Sequence, residues 1–514
     1  MKTKKHKYLP GAGVYLRGMP ACMCAALLIG SASCSSDHGA PDGPEARQAT
    51  LTVRLSVSSS SRAIGDYIPE LPGVNHENDI DNIFLWFYRD SPAGPNGEAD
   101  VICSTLVDKH QIISTSSGER QFTIGLTGYK PAQGDRIIAV ANMGDMSRLT
   151  SLKAIREAVS PATWTGSGAD AGGFAMASAR FDDGIVTAPA GDNPETPFTA
   201  SVSIERLAAR IDLRFTASNI EPGSGLCYTA IMPGAKKDLV HLTHVVPTNV
   251  MQPPTYVLKH VTADAADGCF DRTTVCGYEL VNDISGVPVN YVVEPHTATK
   301  GDASDLTALY GSTRAGAIDA TAFGSAYGLA ALMEDDRLLL KDGNDRALIL
   351  SYANENTHHM DMADSRFVTG LMLRTEYEPA VLSNPDGTTA PYVRGSDFYR
   401  LRPLDEVTRP LYFASQTDAE TYRQTQNLGP CTIDYYAGGV CYYPVWIRHR
   451  VISQWGAETR FPMEFGIVRN HVYRVEFTFS GPGYPEPELI EPENIRAIIY
   501  VRPWSFRRLD ETIM

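Results

Sequence analysis

Apolar and polar side chains alternate one for one near the start of the chain. Leu51, Val53, Leu55 and Val57 fall on one phase, and Thr50, Thr52, Arg54 and Ser56 on the other. Period-two patterning with β-branched residues predicts a half-buried strand over Ala49–Val57. A serine run, Ser58 to Ser61, and a lone Arg62 follow it. A strand ending in a basic hinge can be cut there and removed. The sheet it leaves has an open edge and an apolar groove that a strand from another molecule can fill.

Further along, Ile80 to Tyr88 reads as a strand whose continuous apolar run, Ile83–Tyr88, is the pattern of burial on both faces. Gln121–Leu126 alternates, and Arg136–Asn142 reads as another strand closed by Gly144. Leu149, Leu152, Ile155 and Val159 share a helical face, so a helix is expected over 149–160. Phe174–Ala177, Val202–Phe215, Arg346–Tyr352, Val440–Ile447 and Asn470–Phe479 read as further strands. Residues 262–345 are polar and rich in Ala and Gly, which predicts loop insertions with one or two short helices. The prolines 482, 485, 487 and 492 predict a stiff spacer holding a last strand, Asn494–Trp504, away from the body. Many strands, few helices and turns of Gly, Pro and Asp point to a mainly β chain of β-sandwich type. The pattern breaks near Ser218–Ser224, so one domain is expected over 49–215 and a second over 216–480, followed by a tail over 481–514.

Composition narrows the function. The 514 residues carry 45 basic and 60 acidic side chains, a net charge of −15, and no basic patch interleaved with aromatics, which argues against nucleic acid as a partner. Residues 1–34 join a basic front (Lys2, Lys4, Lys5, Lys7, Arg17) to a short apolar segment, an export signal too short for a permanent membrane helix. Ser31-Ala32-Ser33-Cys34 looks like a lipoprotein signal with Cys34 as the lipidated residue, although Ser31 stands where leucine is usual; a plain secretory leader is the other reading. Residues 35–48 read as a polar tether. Cys269/Cys276 and Cys431/Cys441 are each spaced to close a short loop as a disulfide, and each also fits a small buried thiol.

Several of these pieces together resemble the fimbrillin family, FimA-like and Mfa-like, whose members build type V pili. The resemblance lies in residues 50–65 (TLTVRLSVSSSSRAIG), 136–145 (RIIAVANMGD) and 204–215 (IERLAARIDLRF). It continues in 442–447 (YYPVWI), 466–483 (GIVRNHVYRVEFTFSGPG) and the ending Val501-Arg502-Pro503-Trp504, and it is patchy between about 220 and 435. It implies two tandem β-sandwich domains of transthyretin-like type, exported as a lipoprotein precursor on the outer membrane. An arginine-specific protease would cut after Arg62, leaving Ala63 as the new N-terminus. Leu51, Val53, Leu55 and Val57 would belong to the removable strand, and other fimbrial subunits would be the partners. By position the donor strand is Ile495–Val501, with Ile495, Ala497, Ile499 and Val501 as its inserted side chains. Region 262–345 has no counterpart, which leaves a minor or tip component open.

Other chemistry finds little support. His358-His359-Met360-Asp361 with Asp364 is a weak metal motif, and His241 and His244 have ligand spacing within a strand-like run. Ser325 stands one place early for a nucleophile elbow. No P-loop, dinucleotide fingerprint or zinc-protease helix occurs. No cofactor, metal or catalytic residue is expected. Tyr435 and Tyr436, beside Gly438-Gly439, are the candidates for an exposed adhesion patch for glycan or host protein.

Overall fold

The alternating run at the start of the chain forms β1 (Ala49–Val57) in the computed structural model. Described are residues 49–57, 70–89, 100–114, 119–179, 184–190, 196–215, 226–230, 237–262, 274–276, 292–296, 306–314, 317–324, 327–342, 345–357, 366–403, 410–449, 464–488 and 492–505. Cys34, Arg62, Ala63, Cys269, His358, His359 and Ser325 fall outside them. After β1 come β2 (Leu71–Pro72), β3 (Asn82–Tyr88), β4 (Cys103–Asp108), β5 (Ile113–Ser114), β6 (Arg120–Leu126) and β7 (Arg136–Ala141). Helix α1 (Leu152–Arg156), β8 (Val159–Ser160), β9 (Met176–Ser178), β10 (Phe198–Arg206) and β11 (Ala209–Phe215) follow.

Eight strands form one sheet in the order β4-β3-β7-β9-β10-β1-β6-β5. The apolar run Ile83–Tyr88 of β3 has the expected cause. Ile83, Leu85 and Phe87 join the main core, while Phe84, Trp86 and Tyr88 meet a second cluster under Leu152 and Ile155 of α1. The helix is shorter than its periodicity predicts. Ser151 caps it by accepting from the Ala154 N–H at 3.2 Å, and it ends at Arg156. Val159 and Ser160 instead pair with Tyr256 and Thr255, a use that suits β-branched Val159 and the Pro161 behind it.

The expected run Val202–Phe215 is two strands. The chain leaves the first sheet at Arg206 and enters another at Ala209, with only Leu207 and Ala208 between. The second sheet has the order Leu339–Asp342, Asp345–Ala353, β11, His471–Phe479, Ile495–Ser505, β2. A four-stranded sheet of Cys227–Thr229, Leu239–Thr248, Gly370–Glu378 and Val440–Trp446 supplies the opposing layer. Ile211, Leu213, Val475 and Phe477 from one layer share a core with Val240, Leu242, Leu371 and Val445 from the other. The architecture is mainly β. Within 262–345 the described residues hold two short α-helices, Leu306–Tyr310 and Leu329–Glu334, the 3-10 turns Gly311–Thr313 and Ala320–Ala322, the short strands Thr274–Cys276 and Val292–Val293, and the hairpin strand Leu339–Asp342.

One expectation is corrected here, and one open alternative is decided for Cys431 and Cys441. The segment Gly481–Gly483 does not stand off the body. It is buried, and its carbonyls accept the Tyr443 hydroxyl (on Gly481, 2.8 Å) and the Tyr436 hydroxyl (on Gly483, 2.9 Å). At Gly483 an added Cβ would lie 2.2 Å from the Tyr442 carbonyl, so close backbone approach explains the glycine better than flexibility does. Cys431 and Cys441 are free thiols. Cys441 is buried beside the Thr375 hydroxyl at 3.1 Å, and burial raises its pKa; Cys431 lies opposite Pro403 in a separate sheet.

Candidate functional site

β1 is an interior strand. It runs parallel to β10, with Leu51–Val57 opposite Phe198–Ile204, and antiparallel to β6, with Ala49–Leu55 opposite Leu126–Arg120. Leu51, Val53 and Leu55 are fully buried and share a core with Phe122, Ile124, Val202 and Ile204. On the other phase Arg54 is exposed, and the Thr52 hydroxyl meets that of Thr123 at 2.9 Å. Val57 is held in the ladder opposite Ile204. The position β1 occupies is therefore a slot one strand wide with a hydrogen-bonding edge on each side. At about 1.5–3 kcal/mol per buried side chain, the three inward residues contribute roughly 5–9 kcal/mol to filling it, before any ladder bonds.

The last strand is also seated. Ile495–Pro503 pair in unbroken antiparallel register with Phe479–His471, and Leu71-Pro72 of β2 pair with Trp504-Ser505. The four side chains expected to insert into a neighbour, Ile495, Ala497, Ile499 and Val501, pack half-buried on the chain's own core.

Trp504 ends that strand inside a buried polar clamp. Its indole N–H donates to Glu77 Oε2 at 3.2 Å, and its ring stacks on Tyr352 with centroids 5.9 Å apart. The Arg206 guanidinium lies 4.4 Å over the same ring, donates to the Trp504 carbonyl at 2.9 Å, and reaches Asn78 at 2.6 Å. Glu77 also accepts from Arg210 at 2.8 Å, from the Tyr352 hydroxyl at 2.7 Å and from the Val74 N–H at 2.7 Å. Arg210 in turn forks onto Asp212, which accepts from Arg474 at 3.1 Å. Glu77, Arg206, Arg210, Asp212 and Trp504 are all fully buried. Neither periodicity nor the motifs above point to this clamp. Its signal is the charge set into an otherwise apolar run, Glu205-Arg206 and Arg210-x-Asp212, since charges in a double-faced strand survive burial only when paired.

The Arg469-Asn470-His471-x-Tyr473 string sits where the two sheets join. Arg469 pairs with Glu355 at 2.6 Å and donates to the carbonyls of Tyr256 and Val257. Asn470 adopts a left-handed φ of 56°, donates its N–H to the Ala208 carbonyl, and accepts the Trp504 N–H. Tyr473 accepts the Val468 N–H at 2.8 Å. His471 donates to the Arg469 carbonyl, and nearby His260 stacks on Tyr256 and donates to the Arg156 carbonyl.

Burial pushes both His260 and His471 down to about 4. Arg469 and Arg156 repel a charged His260, and Lys259 repels a charged His471. Both folded values lie below the ordinary 6.5, so between these limits the unfolded chain binds more protons and stability rises with pH. Stability is expected to be complete above about pH 6.5 and to fall as pH drops toward 4, by roughly 3 kcal/mol per histidine at most. Urea unfolding of the full chain at pH 7, 5.5 and 4.5, beside the same series for His471→Asn, checks this: the variant should lose some of the slope.

The proposed adhesion pair separates. Tyr435 is 45% exposed and donates to Asp397 at 2.7 Å, whereas Tyr436 is buried and stacks on Phe398 at 4.6 Å. Successive strand residues point to opposite faces, so the two tyrosines form no common patch. His241 and His244 are spent locally: His241 meets Glu378 at 2.8 Å, and His244 meets Thr243 at 3.0 Å. Among the described residues no group of three or more His, Cys, Asp or Glu is placed to hold a metal ion. Among them also, no helix is long and apolar enough to cross a membrane.

Residues 434–510 match the family described as major fimbrial subunit protein type IV, fimbrillin, C-terminal. Among curated proteins none matches the sequence. Among solved structures, a fimbrilin (FimA) from Porphyromonas gingivalis W83 aligns at 13% identity over 88% of this chain and 98% of that one, with a TM-score of 0.37. The tip fimbrial protein Mfa3 from Porphyromonas gingivalis, with C-terminal truncation, aligns at 12% identity over 88% of this chain and 100% of its own, with a TM-score of 0.34.

Proposed function

We propose, on the premise that this chain belongs to the fimbrillin family, to whose C-terminal model its residues 434–510 conform, that it is a structural subunit of a cell-surface fimbria whose first strand is exchanged for one from another subunit. The observation that carries this reading is the interior position of β1 between β6 and β10. The first strand among the described residues, lodged in the middle of a sheet and followed in sequence by Ser58–Ser61 and Arg62, is suited to replacement: its loss leaves two ladders and three apolar sockets for a successor. The cut falls after Arg62 in this reading, Ala63 begins the mature chain, and a lipid on Cys34 keeps the precursor at the outer membrane. Domains over 49–215 and 216–480 remain the proposed division. The role is structural, not catalytic.

A second reading concerns position in the fibre. The seating of Ile495–Ser505 in the chain's own sheet, ended by the clamped Trp504, favours a subunit that receives a strand without giving one. Such a subunit stands at an end, as a tip or as a base that keeps its lipid. Donation by Ile495–Val501 would require the whole ladder with His471–Phe479 to open first.

Treatment of the full chain with an arginine-specific protease tests both readings. Mass spectrometry should find a new N-terminus at Ala63. A terminal subunit should then form denaturant-resistant complexes with other fimbrial subunits and no ladder with itself, whereas a shaft subunit ladders alone. Cleavage only at sites away from 58–69, or no complex with any fimbrial subunit, overturns the exchange reading.

A further inference from the structure

We infer that cutting the chain does not empty the slot: the severed first strand stays bound as a ligand and leaves only when an incoming strand displaces it. The inference rests on the exchange reading above and deepens it. Its basis is what depends on β1. Among the described residues β6 is hydrogen-bonded to β1 on one side and to the two-residue β5 on the other, so β1 is its only link to the rest of the eight-stranded sheet. If β1 left first, Phe122, Ile124 and Leu126 would keep their place in the core with no strand joining them to β10, and two facing ladders would lose their partners together. Unpaired backbone groups at a dry apolar site are strongly disfavoured, which sets a high barrier to an empty slot.

The register, taken with the position of the cut, points to where displacement starts. Over Leu51–Leu55 the strand is held on both sides. Among the described residues Ser56 and Val57 are paired with Ser203 and Ile204 of β10 only, the ladder with β6 running to Leu55 opposite Arg120. At the other end Ala49 and Thr50 are, among the same residues, paired with β6 alone, so of the two singly held ends Ser56–Val57 is the one nearest the cut. A new strand gains its first pairs there, beside Ser203 and Ile204, and advances toward Leu51 as the old strand peels. It needs apolar side chains on alternate positions to match the sockets of Leu55, Val53 and Leu51, and no proline among them.

The experiment uses the full chain, cut by the arginine-specific protease and passed over a sizing column. The fragment ending at Arg62 should co-elute with the body, and amides of Arg120–Leu126 should keep their hydrogen-exchange protection. An isotope-labelled peptide of residues 49–57 should then raise the release rate in proportion to its concentration, at least tenfold above spontaneous loss. The same peptide with Val53→Asp should leave the rate unchanged. Loss of the fragment on the column, or release independent of peptide, overturns the inference. If the protease does not cut at Arg62, the cleavage reading fails separately. A chain carrying an inserted protease site within Ser58–Ser61 then still tests displacement by the same two measurements.

Discussion

Replacing Trp504 by alanine is expected to destabilise the isolated chain by about 3–5 kcal/mol, the range for removing a large aromatic from a packed core. Trp504 is fully buried, stacks on Tyr352, meets Phe174 edge-on at 5.5 Å, and carries the Arg206 guanidinium over its ring. Loss of the ring also removes a donor from Glu77 and uncovers Arg206. Trp504→Phe keeps the stacking and should cost roughly half as much. Denaturant titration measures both. A last strand that swung free before assembly would predict no change for either variant. Deleting residues 495–514 should then give a chain that fails to fold, since the deletion removes the whole ladder with His471–Phe479 as well as the ring.

Glu77→Gln should cost a similar amount, about 3–5 kcal/mol, through a different cause. The substitution keeps the shape and withdraws the negative charge that Arg210 meets at 2.8 Å in a site closed to water. Asp212 still accepts from Arg210, so the guanidinium keeps one carboxylate and the loss stays toward the lower end of the range. The amide nitrogen of glutamine also faces one of the four donors that now converge on the carboxylate. Hydrogen exchange should rise over Leu71–Asn78 and Trp504–Ser505 more than over β3, because Glu77 ties those two segments together. Equal loosening of β3 would mean that the effect is global.

The sequence displays what period alone encodes. β1, β3, β6, β7, the strand His471–Phe479 and the last strand lie within a residue or two of their alternating or all-apolar runs, because those runs record which faces are buried. Partner choice leaves no such trace. Nothing in Leu51-x-Val53-x-Leu55 says that β10 lies on one side and β6 on the other, since any strand with a buried face looks the same. Pairing also decides that Ile495–Ser505 stays at home, and that Gly481–Gly483 lies against Tyr436 and Tyr443. Prolines read as a spacer because φ restriction suits extended chain; the same restriction suits a packed return. The helix over 149–160 shrank because a cap and a helical face cannot outweigh a strand partner for Val159. Tyr436 left the candidate patch for a simple reason of parity, which two adjacent strand residues always obey.

The parallel course of β1 and β10 also fixes how a joint made in that slot would bear a pull. A tug along the seated strand runs along the shared axis of both neighbours, parallel to β10 and antiparallel to β6, so the load falls on all seven register pairs with β10 and all seven with β6 at once. Failure then requires every rung to slide together, whereas a strand drawn sideways would lose its rungs singly, each in turn. A filament assembled through this geometry resists tension in shear, the mode in which hydrogen-bonded ribbons are strongest. The same filament opens easily only when a competitor works inward from one end.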